Sequence, residues 1–330
     1  MDAFLNMFRN VIMFVALALP GFIFVKRGLL KQEQSGILSK LMMYVGMPGL
    51  ILSSTINKIT FSTGMMASML IIALVGIVYT LVMFFASTPL TSMEKNTKTR
   101  GMMRFCAVFA NNGFLGIPLA NAVFGEDSPV LPVVIILNII TNVLMQTLGV
   151  YLVSGDKKQM SFKKALLNPL VIAFFVGVIL NLLKVKDYVP EIPSFVNYFS
   201  GIVTPISMTI LGMKMASVKL TSLFTSWKTY YVSALRLVIF PAVILAVLIA
   251  MKNLFGFELI TNDIILGSFV AFAMPTAGLA STFADSLDGD TQNAVAFTLG
   301  TTIISIITIP VLYFIINLLL EASVNVPPVA

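Results

Sequence analysis

The sequence has no histidine, a single cysteine and few charged residues. Of its 330 residues, 58% are hydrophobic and 11% are charged, whereas about 25% of the residues of a soluble domain are charged. Without histidine, the commonest metal ligand and the usual proton relay are missing, and Cys106 alone cannot form an intramolecular disulfide. These absences predict no resident metal or cofactor, and they argue against a membrane-embedded enzyme.

Long apolar runs account for most of the chain. Stretches of about 20 apolar residues, enough for one helix to span a bilayer, recur along it. Such runs are too long for barrel strands, and a helix satisfies its own backbone groups in lipid. We therefore predict an all-α membrane protein with ten transmembrane helices, at residues 5–25, 35–55, 65–87, 101–123, 129–153, 165–183, 194–216, 228–251, 263–285 and 293–320.

The net charge of +7 comes mainly from the loops between these spans. Lys and Arg are concentrated in loops that lie inside if the N-terminus is outside, such as the loop with Lys157 and Lys158. This distribution predicts an inner-membrane location with both termini outside. The acidic loop from Asp285 to Asp290 also falls inside, which carries little weight because acids contribute little to the rule. No basic soluble domain is present, so lipid rather than nucleic acid is the expected partner.

The prolines of the two halves share one spacing. Pro205 follows Pro48 by 157 residues, and Pro275 follows Pro118 by the same number. Each half has five spans, an odd number, so the second copy would cross the membrane in the opposite direction. This pattern predicts two inverted five-helix repeats, residues 1–157 and 158–330, although chance matches between prolines would look the same.

The prolines of spans 4 and 9 are expected to break their helices near the middle of the membrane. Proline removes a backbone donor and clashes with the preceding turn. The half-helices that follow would direct their partly positive N-termini at one point, which suits a carboxylate. The alternative is a kink that serves close packing. The substrate-binding residues predicted at this point are Asn111, Asn112, Gly116, Pro118, Pro275 and Thr276.

A polar stripe lies on span 5. Asn138, Thr141 and Asn142 are three to four residues apart and share one helix face. Polar groups in lipid should face a cavity or a neighbouring helix. Asn138 and Asn142 are therefore further substrate-binding candidates, and hydrogen bonding between helices is the alternative of equal weight.

Arg236 lies deep in span 8. It is eight residues beyond Lys228, which is about 12 Å at 1.5 Å per residue. An acid should accompany a charge at this depth, and Asp285 is the candidate. The pair is either structural or takes part directly in handling substrate or protons.

These motifs resemble those of the auxin efflux carrier family, which includes plant auxin carriers and bacterial permeases for malate and related acids. The run from Asn111 to Leu119 is similar to the family's fourth helix, and Asn168-Pro169 to the start of its second half. Ala273-Met274-Pro275 resembles its ninth helix. The resemblance implies that spans 4 and 9 cross at their prolines and hold the substrate there. It also implies a scaffold of spans 1, 2, 6 and 7, a transport core of spans 3–5 and 8–10, and a homodimer through the scaffold helices.

The expected function is a secondary transporter of a small organic anion, coupled to H⁺ or Na⁺, with no enzymatic activity. Two alternatives stay open, a sodium-coupled symporter of the bile-acid-carrier type and a passive anion channel. The chain departs from the plant carriers in its short central loop, Ser154 to Lys164, and in Thr276-Ala277 after the ninth-helix proline. Auxin itself is therefore not the expected substrate.

Overall fold

A computed structural model describes residues 2–58, 63–125, 127–216 and 225–324. The described residues form helices and no strand. The first half contains α1 (Asp2–Leu17), α2 (Leu19–Lys26), α3 (Ser35–Leu41), α4 (Met47–Lys58), α5 (Thr63–Leu90), α6 (Thr97–Val108), α7 (Ile117–Phe124), α8 (Val130–Leu144) and α9 (Val150–Ser154). The second half contains α10 (Phe162–Leu166), α11 (Pro169–Leu182), α12 (Val185–Tyr188), α13 (Glu191–Ser200), α14 (Val203–Ala216), α15 (Trp227–Ala234), α16 (Phe240–Asn253), α17 (Asn262–Phe272), α18 (Ala280–Ser286) and α19 (Thr291–Val324).

Several of these helices join into membrane-length stretches. Large apolar side chains on their outer faces are exposed, such as Leu70 (72%) and Ile307 (67%), and lipid is the solvent that can cover them. The predicted spans 1, 4 and 9 are interrupted helices here, and ten spans stays a prediction. Among the described residues, seven stretches are long and apolar enough to cross a membrane: Gln32–Ile56, Met66–Leu90, Val130–Ser154, Lys157–Leu182, Glu191–Ala216, Trp227–Asn253 and Thr291–Glu321.

Four helical stretches within the described residues contain a wider π-helical turn. Three of these turns end two residues before a proline, namely Pro48, Pro118 and Pro241. A proline ring clashes with the carbonyl four residues earlier in a regular α-helix, and a wider turn relieves that clash. These prolines are therefore accommodated inside helices. The four turns are Met42–Gly46, Asn112–Gly116, Met145–Gly149 and Leu235–Ile239.

Glycines set two close helix contacts between the halves. A Cβ on Gly21 of α2 would lie 2.0 Å from the Thr209 carbonyl oxygen of α14, and one on Gly212 would lie 1.8 Å from the Ala18 carbonyl oxygen. A Cβ on Gly177 of α11 would likewise lie 2.8 Å from the Thr55 side chain of α4. Glycine permits these close approaches, to backbone atoms at the α2–α14 contact and to the Thr55 side chain at the α4–α11 contact. The α2–α14 and α4–α11 contacts therefore have matching construction.

Polar contacts at one end of the bundle join the loop after α5 and the first turn of α6 to the second half. The Lys228 ammonium forms an ion pair with Glu94, and Lys98 pairs with Asp288 at 2.7 Å. Thr99 Oγ1 donates to Asp290 Oδ2 at 2.6 Å. The hydrogen bond from Lys228, together with that from the Asn96 backbone, lowers the pKa of the Glu94 carboxyl below its usual value. The acidic loop thus lies beside residues of the basic Lys95–Arg104 segment, as the predicted topology requires.

Candidate functional site

Two interrupted helices meet at their breaks. The first is α6, which ends at Val108, after which Phe109 is extended and the helix resumes at Asn112. The second is α17, which ends at Phe272, with α18 starting at Ala280. The Asn111 backbone N–H donates to the Pro275 carbonyl at 2.7 Å, and the Ala277 N–H donates to the Phe109 carbonyl at 2.9 Å. Each break thus satisfies backbone groups freed by the other, as an apolar interior requires.

The position of the first break differs from the sequence prediction. Pro118 was expected to break the helix, yet it lies in the first turn of α7, directly after the π-helical turn that accommodates it. The interruption is at Phe109 to Asn111. Pro275, in contrast, does lie inside the second break. Asparagine and glycine weaken a helix on their own, which explains an interruption beside Asn111-Asn112-Gly113 without a proline.

Arg236 binds the ends of both interrupted helices. Its side chain is fully buried. Nη1 donates to the Ala107 carbonyl at 3.0 Å and to the Val108 carbonyl at 2.7 Å, both at the C-terminus of α6. Nη2 donates to the Phe272 carbonyl at the C-terminus of α17 and to the Tyr79 hydroxyl at 3.1 Å. Each helix C-terminus carries about half a negative charge, so two of them match one guanidinium.

The predicted ion pair between Arg236 and Asp285 is therefore wrong. Asp285 is exposed and accepts a hydrogen bond from Thr291 Oγ1 at 2.6 Å. No carboxylate in the described part of the chain forms an ion pair with Arg236. The buried charge is instead stabilised by main-chain carbonyls and the Tyr79 hydroxyl, which accept from Nη1 and Nη2, whereas Nε has no acceptor among the described residues.

A cavity, here cavity A, lies beside the break of the first helix. The space between its lining atoms is about 450 Å³, counting the part that opens outward, so a ligand held there must be small. Its polar lining comes from four of the predicted residues, Asn111, Asn112, Asn138 and Asn142, with Thr141 beside them. The remaining lining residues are Met43, Met47, Ala110, Gly113, Phe114, Met145, Leu170, Ala277, Gly278 and Leu279.

Two amide nitrogens at cavity A are buried and lack an acceptor among the described residues. Asn112 is 2% exposed and Asn138 is fully buried, and neither Nδ2 has an acceptor within hydrogen-bond distance among the described residues. Asn138 Oδ1, in contrast, accepts from Asn142 Nδ2 at 2.8 Å. A buried donor without an acceptor costs about 1–3 kcal/mol. The pair of unpaired donors therefore points to a ligand that supplies oxygen acceptors.

The other four predicted binding residues do not line cavity A. Thr276 is fully buried, and its hydroxyl donates to the Cys106 carbonyl at 2.9 Å, so it stabilises the contact between the breaks. Gly116 permits close packing, because a Cβ there would lie 3.2 Å from Met274 Cγ. Pro118 is packed inside α7, and Pro275 contributes its carbonyl to Asn111. Thr276, Pro275 and Gly116 thus contact the other interrupted helix at the breaks, and none of the four residues is among those that line cavity A.

Two further cavities adjoin the first. Cavity B shares Asn111, Phe114 and Gly278 with cavity A and is also lined by Lys214 of α14. The Lys214 ammonium donates to the Gly278 carbonyl at 2.7 Å. Cavity B is completed by Leu115, Ser207, Met208, Ile210, Leu211, Thr298 and Thr302.

Cavity C is larger than cavities A and B, at about 1130 Å³ with its open part included. It shares Met43 and Leu279 with cavity A, so the two are adjacent. Exposed Lys158 and Lys164 lie at its rim. The sequence had placed these lysines in the inner central loop, but no motif indicated that they lie at the rim of a cavity next to cavity A.

Comparison with known proteins agrees with a transport role. A family model described as "Membrane transport protein" matches residues 7–161 and 156–313. An uncharacterized transporter of Methanothermobacter thermautotrophicus is 25% identical over 311 residues, which cover 93% of this chain and 97% of that protein. An uncharacterized transporter of Methanocaldococcus jannaschii is 25% identical over 280 residues, covering 83% and 88%.

Proposed function

Because this chain belongs to the membrane transport protein family, the auxin efflux carrier family that its motifs resemble, we propose that it is a secondary transporter of a small organic anion. The substrate is a carboxylate such as malate or a related acid, bound in cavity A. The observation that carries the proposal is the pair of buried, unpaired amide donors on Asn112 and Asn138. A carboxylate offers only acceptors and suits such donors.

The backbone supports the same ligand. The 13-residue helix Asn112–Phe124 begins at the cavity, and its cap residue Asn111 makes no side-chain capping bond. The first N–H groups of this helix have no intrahelical acceptor, and its N-terminus is partly positive. The second half-helix, Ala280–Ser286, has only seven residues and does not supply the second N-terminus that the sequence predicted.

The route to the site fits transport by alternating access. Cavity C leads to cavity A, and Lys158 and Lys164 at its rim attract anions. With Lys157 and Lys158 inside, as the charge distribution predicts, this conformation is open to the inside. In the matching α2–α14 and α4–α11 contacts, Thr55 and Gly212 are separated by the 157-residue offset, and Gly21 and Gly177 by one position less. This correspondence supports two inverted repeats, whose exchange of roles would open the other side.

The test is carboxylate binding to purified, monodisperse protein by calorimetry, with malate as the first probe. Losing one hydrogen bond to a charged group costs about 1.5–3 kcal/mol, so Asn112→Ala and Asn138→Ala should each weaken binding about 10- to 150-fold. Asn317→Ala is the matched control, because it removes a partly buried amide of α19 that bonds the Tyr313 carbonyl away from the cavities. Unchanged affinity in both cavity variants would refute the assignment of the site.

Flux measurements separate the remaining alternatives. Uptake into proteoliposomes that saturates with substrate concentration is expected of a carrier, whereas a passive channel would give flux that does not saturate. Replacing sodium by choline should leave uptake unchanged in this proposal. A sodium-coupled symporter of the bile-acid type would lose its uptake in choline.

A further inference from the structure

Cavity B differs from cavity A in the groups that it offers. Three hydroxyls line it, those of Ser207, Thr298 and Thr302. Each of them already donates its proton to a main-chain carbonyl of its own helix, at 3.0, 2.8 and 2.7 Å. A hydroxyl whose proton is committed in this way can offer only lone pairs to the cavity. Cavity B is therefore rich in oxygen acceptors, whereas cavity A presents donors.

A cation of the chain itself enters this acceptor-rich space. Lys214 Nζ donates to the Gly278 carbonyl, which belongs to the non-helical segment between α17 and α18. Unwound main-chain carbonyls in broken helices are the groups with which transporters coordinate a coupling cation. An ammonium group carries the same charge as a sodium ion and also binds oxygen acceptors. The Lys214 ammonium thus supplies the positive charge that a bound sodium ion would otherwise supply.

We propose that cavity B is a monovalent-cation site that is permanently filled by the Lys214 ammonium. The inference rests on the transport role proposed above and adds that the carrier works without a bound sodium ion. The tethered charge lies next to Asn111 and Gly278, which line both cavities, so it contributes to the positive field at the anion site. Because the site is already occupied, the carrier needs no sodium ion to complete it.

The experiment measures thermal stability of the purified protein and requires no knowledge of the substrate. Samples in sodium, potassium, choline and methylammonium chloride are compared at equal ionic strength. The wild-type protein should have the same apparent Tm in all four salts. Lys214→Ala should have a lower apparent Tm in choline and regain stability in methylammonium or sodium, because a cation that binds only the folded protein stabilises it by mass action. Lys40→Ala, which removes an exposed lysine of α3, should show neither effect.

Three results would overturn the proposal. They are specific stabilisation of the wild-type protein by sodium, an apparent Tm of Lys214→Ala equal to that of the wild type in choline, or a lowered Tm that neither methylammonium nor sodium restores. If Lys214→Ala does not fold, it should be recovered folded when extracted in methylammonium, and failure there counts against the proposal. Lys214→Arg keeps the charge and should need no added cation. A failure of malate to bind the wild-type protein would refute the substrate assignment alone, since these salt comparisons do not depend on it.

Discussion

Replacing Arg236 tests whether the interrupted helices are held together by one buried charge. Its guanidinium donates four hydrogen bonds, to three main-chain carbonyls and the Tyr79 hydroxyl. Arg236→Met removes all of them and leaves the two helix C-termini facing an apolar side chain. Arg236→Lys keeps the charge but concentrates it on one nitrogen, which cannot reproduce the planar fork. Tyr79→Phe removes a single acceptor and keeps the ring that stacks on Phe272 with centroids 3.9 Å apart.

The expected losses follow from the number of bonds removed. A hydrogen bond to a charged group contributes about 1.5–3 kcal/mol. Nη1 and Nη2 each donate two of the four bonds, and lysine has one nitrogen in their place. Arg236→Lys should therefore lose two bonds, at a cost of about 3–6 kcal/mol. Losing all four in Arg236→Met should cost about 6–12 kcal/mol, which is comparable with the total stability of a typical protein, about 5–15 kcal/mol, so little folded protein is expected. Tyr79→Phe should cost at most about 1.5–3 kcal/mol. Asp285→Asn, at an exposed site, should stay within about 0.5 kcal/mol.

The assay is unfolding by SDS in mixed micelles, followed by helical circular dichroism. The order of stability should be wild type and Asp285→Asn first, then Tyr79→Phe, then Arg236→Lys. The reasoning would be refuted if Arg236→Met were as stable as the wild type. It would also be refuted if Arg236→Lys and Asp285→Asn were strongly non-additive, because that coupling would show an ion pair between the two side chains.

Three other expectations concern the termini, an ion pair and the binding site. In a background without the native cysteine, a membrane-impermeant thiol reagent added outside should label a cysteine at Lys184 and miss one at Lys157; the reverse pattern would overturn the predicted topology. Because the folded-state pKa of Glu94 is lowered, the stability that it contributes with Lys228 is complete above about pH 5 and is lost as pH falls through the lowered pKa. Thermal unfolding of wild type and Glu94→Gln should therefore differ at neutral pH and converge on acidification, and a difference independent of pH would contradict this. Without ligand, Asn112→Ala should be as stable as the wild type or more stable, since no hydrogen bond is lost, and a large loss of stability would show that Asn112 is structural.

The asparagines of cavity A could be predicted from sequence, because a polar side chain in a stretch that lies in lipid costs free energy unless it has a polar partner or faces a cavity. Asn111, Asn112, Asn138 and Asn142 interrupt stretches that otherwise suit lipid, and each needs a partner or a cavity. The predicted break of the fourth span directed attention to the first two. Helical spacing brought the other two onto one face. The structure then placed all four around one space, which neither argument could have shown separately.

The contacts that the sequence could not predict involve main-chain groups. Arg236 was assigned an acidic partner because side-chain charges are visible in a sequence, whereas the carbonyls of Val108 and Phe272 become available only where helices end. Lys214 reaches a carbonyl 64 residues away, in a break whose limits no motif defines. Pro118 was expected to interrupt its helix because a π-helical turn that accommodates proline has no sequence signature. In each case the missing information was the local path of the backbone.

The contact between Tyr79 and Arg236 bears on how such a protein could have been assembled. The two residues are 157 positions apart, the same offset that separates the matching prolines, so under the predicted inverted repeat they would occupy one position in the two halves. In a dimer of identical halves, that position would meet itself across a two-fold axis. Two arginines there would repel each other, and two tyrosines would leave the helix ends without a positive charge. Two halves that differ in sequence can place one of each, which two identical copies of a half cannot.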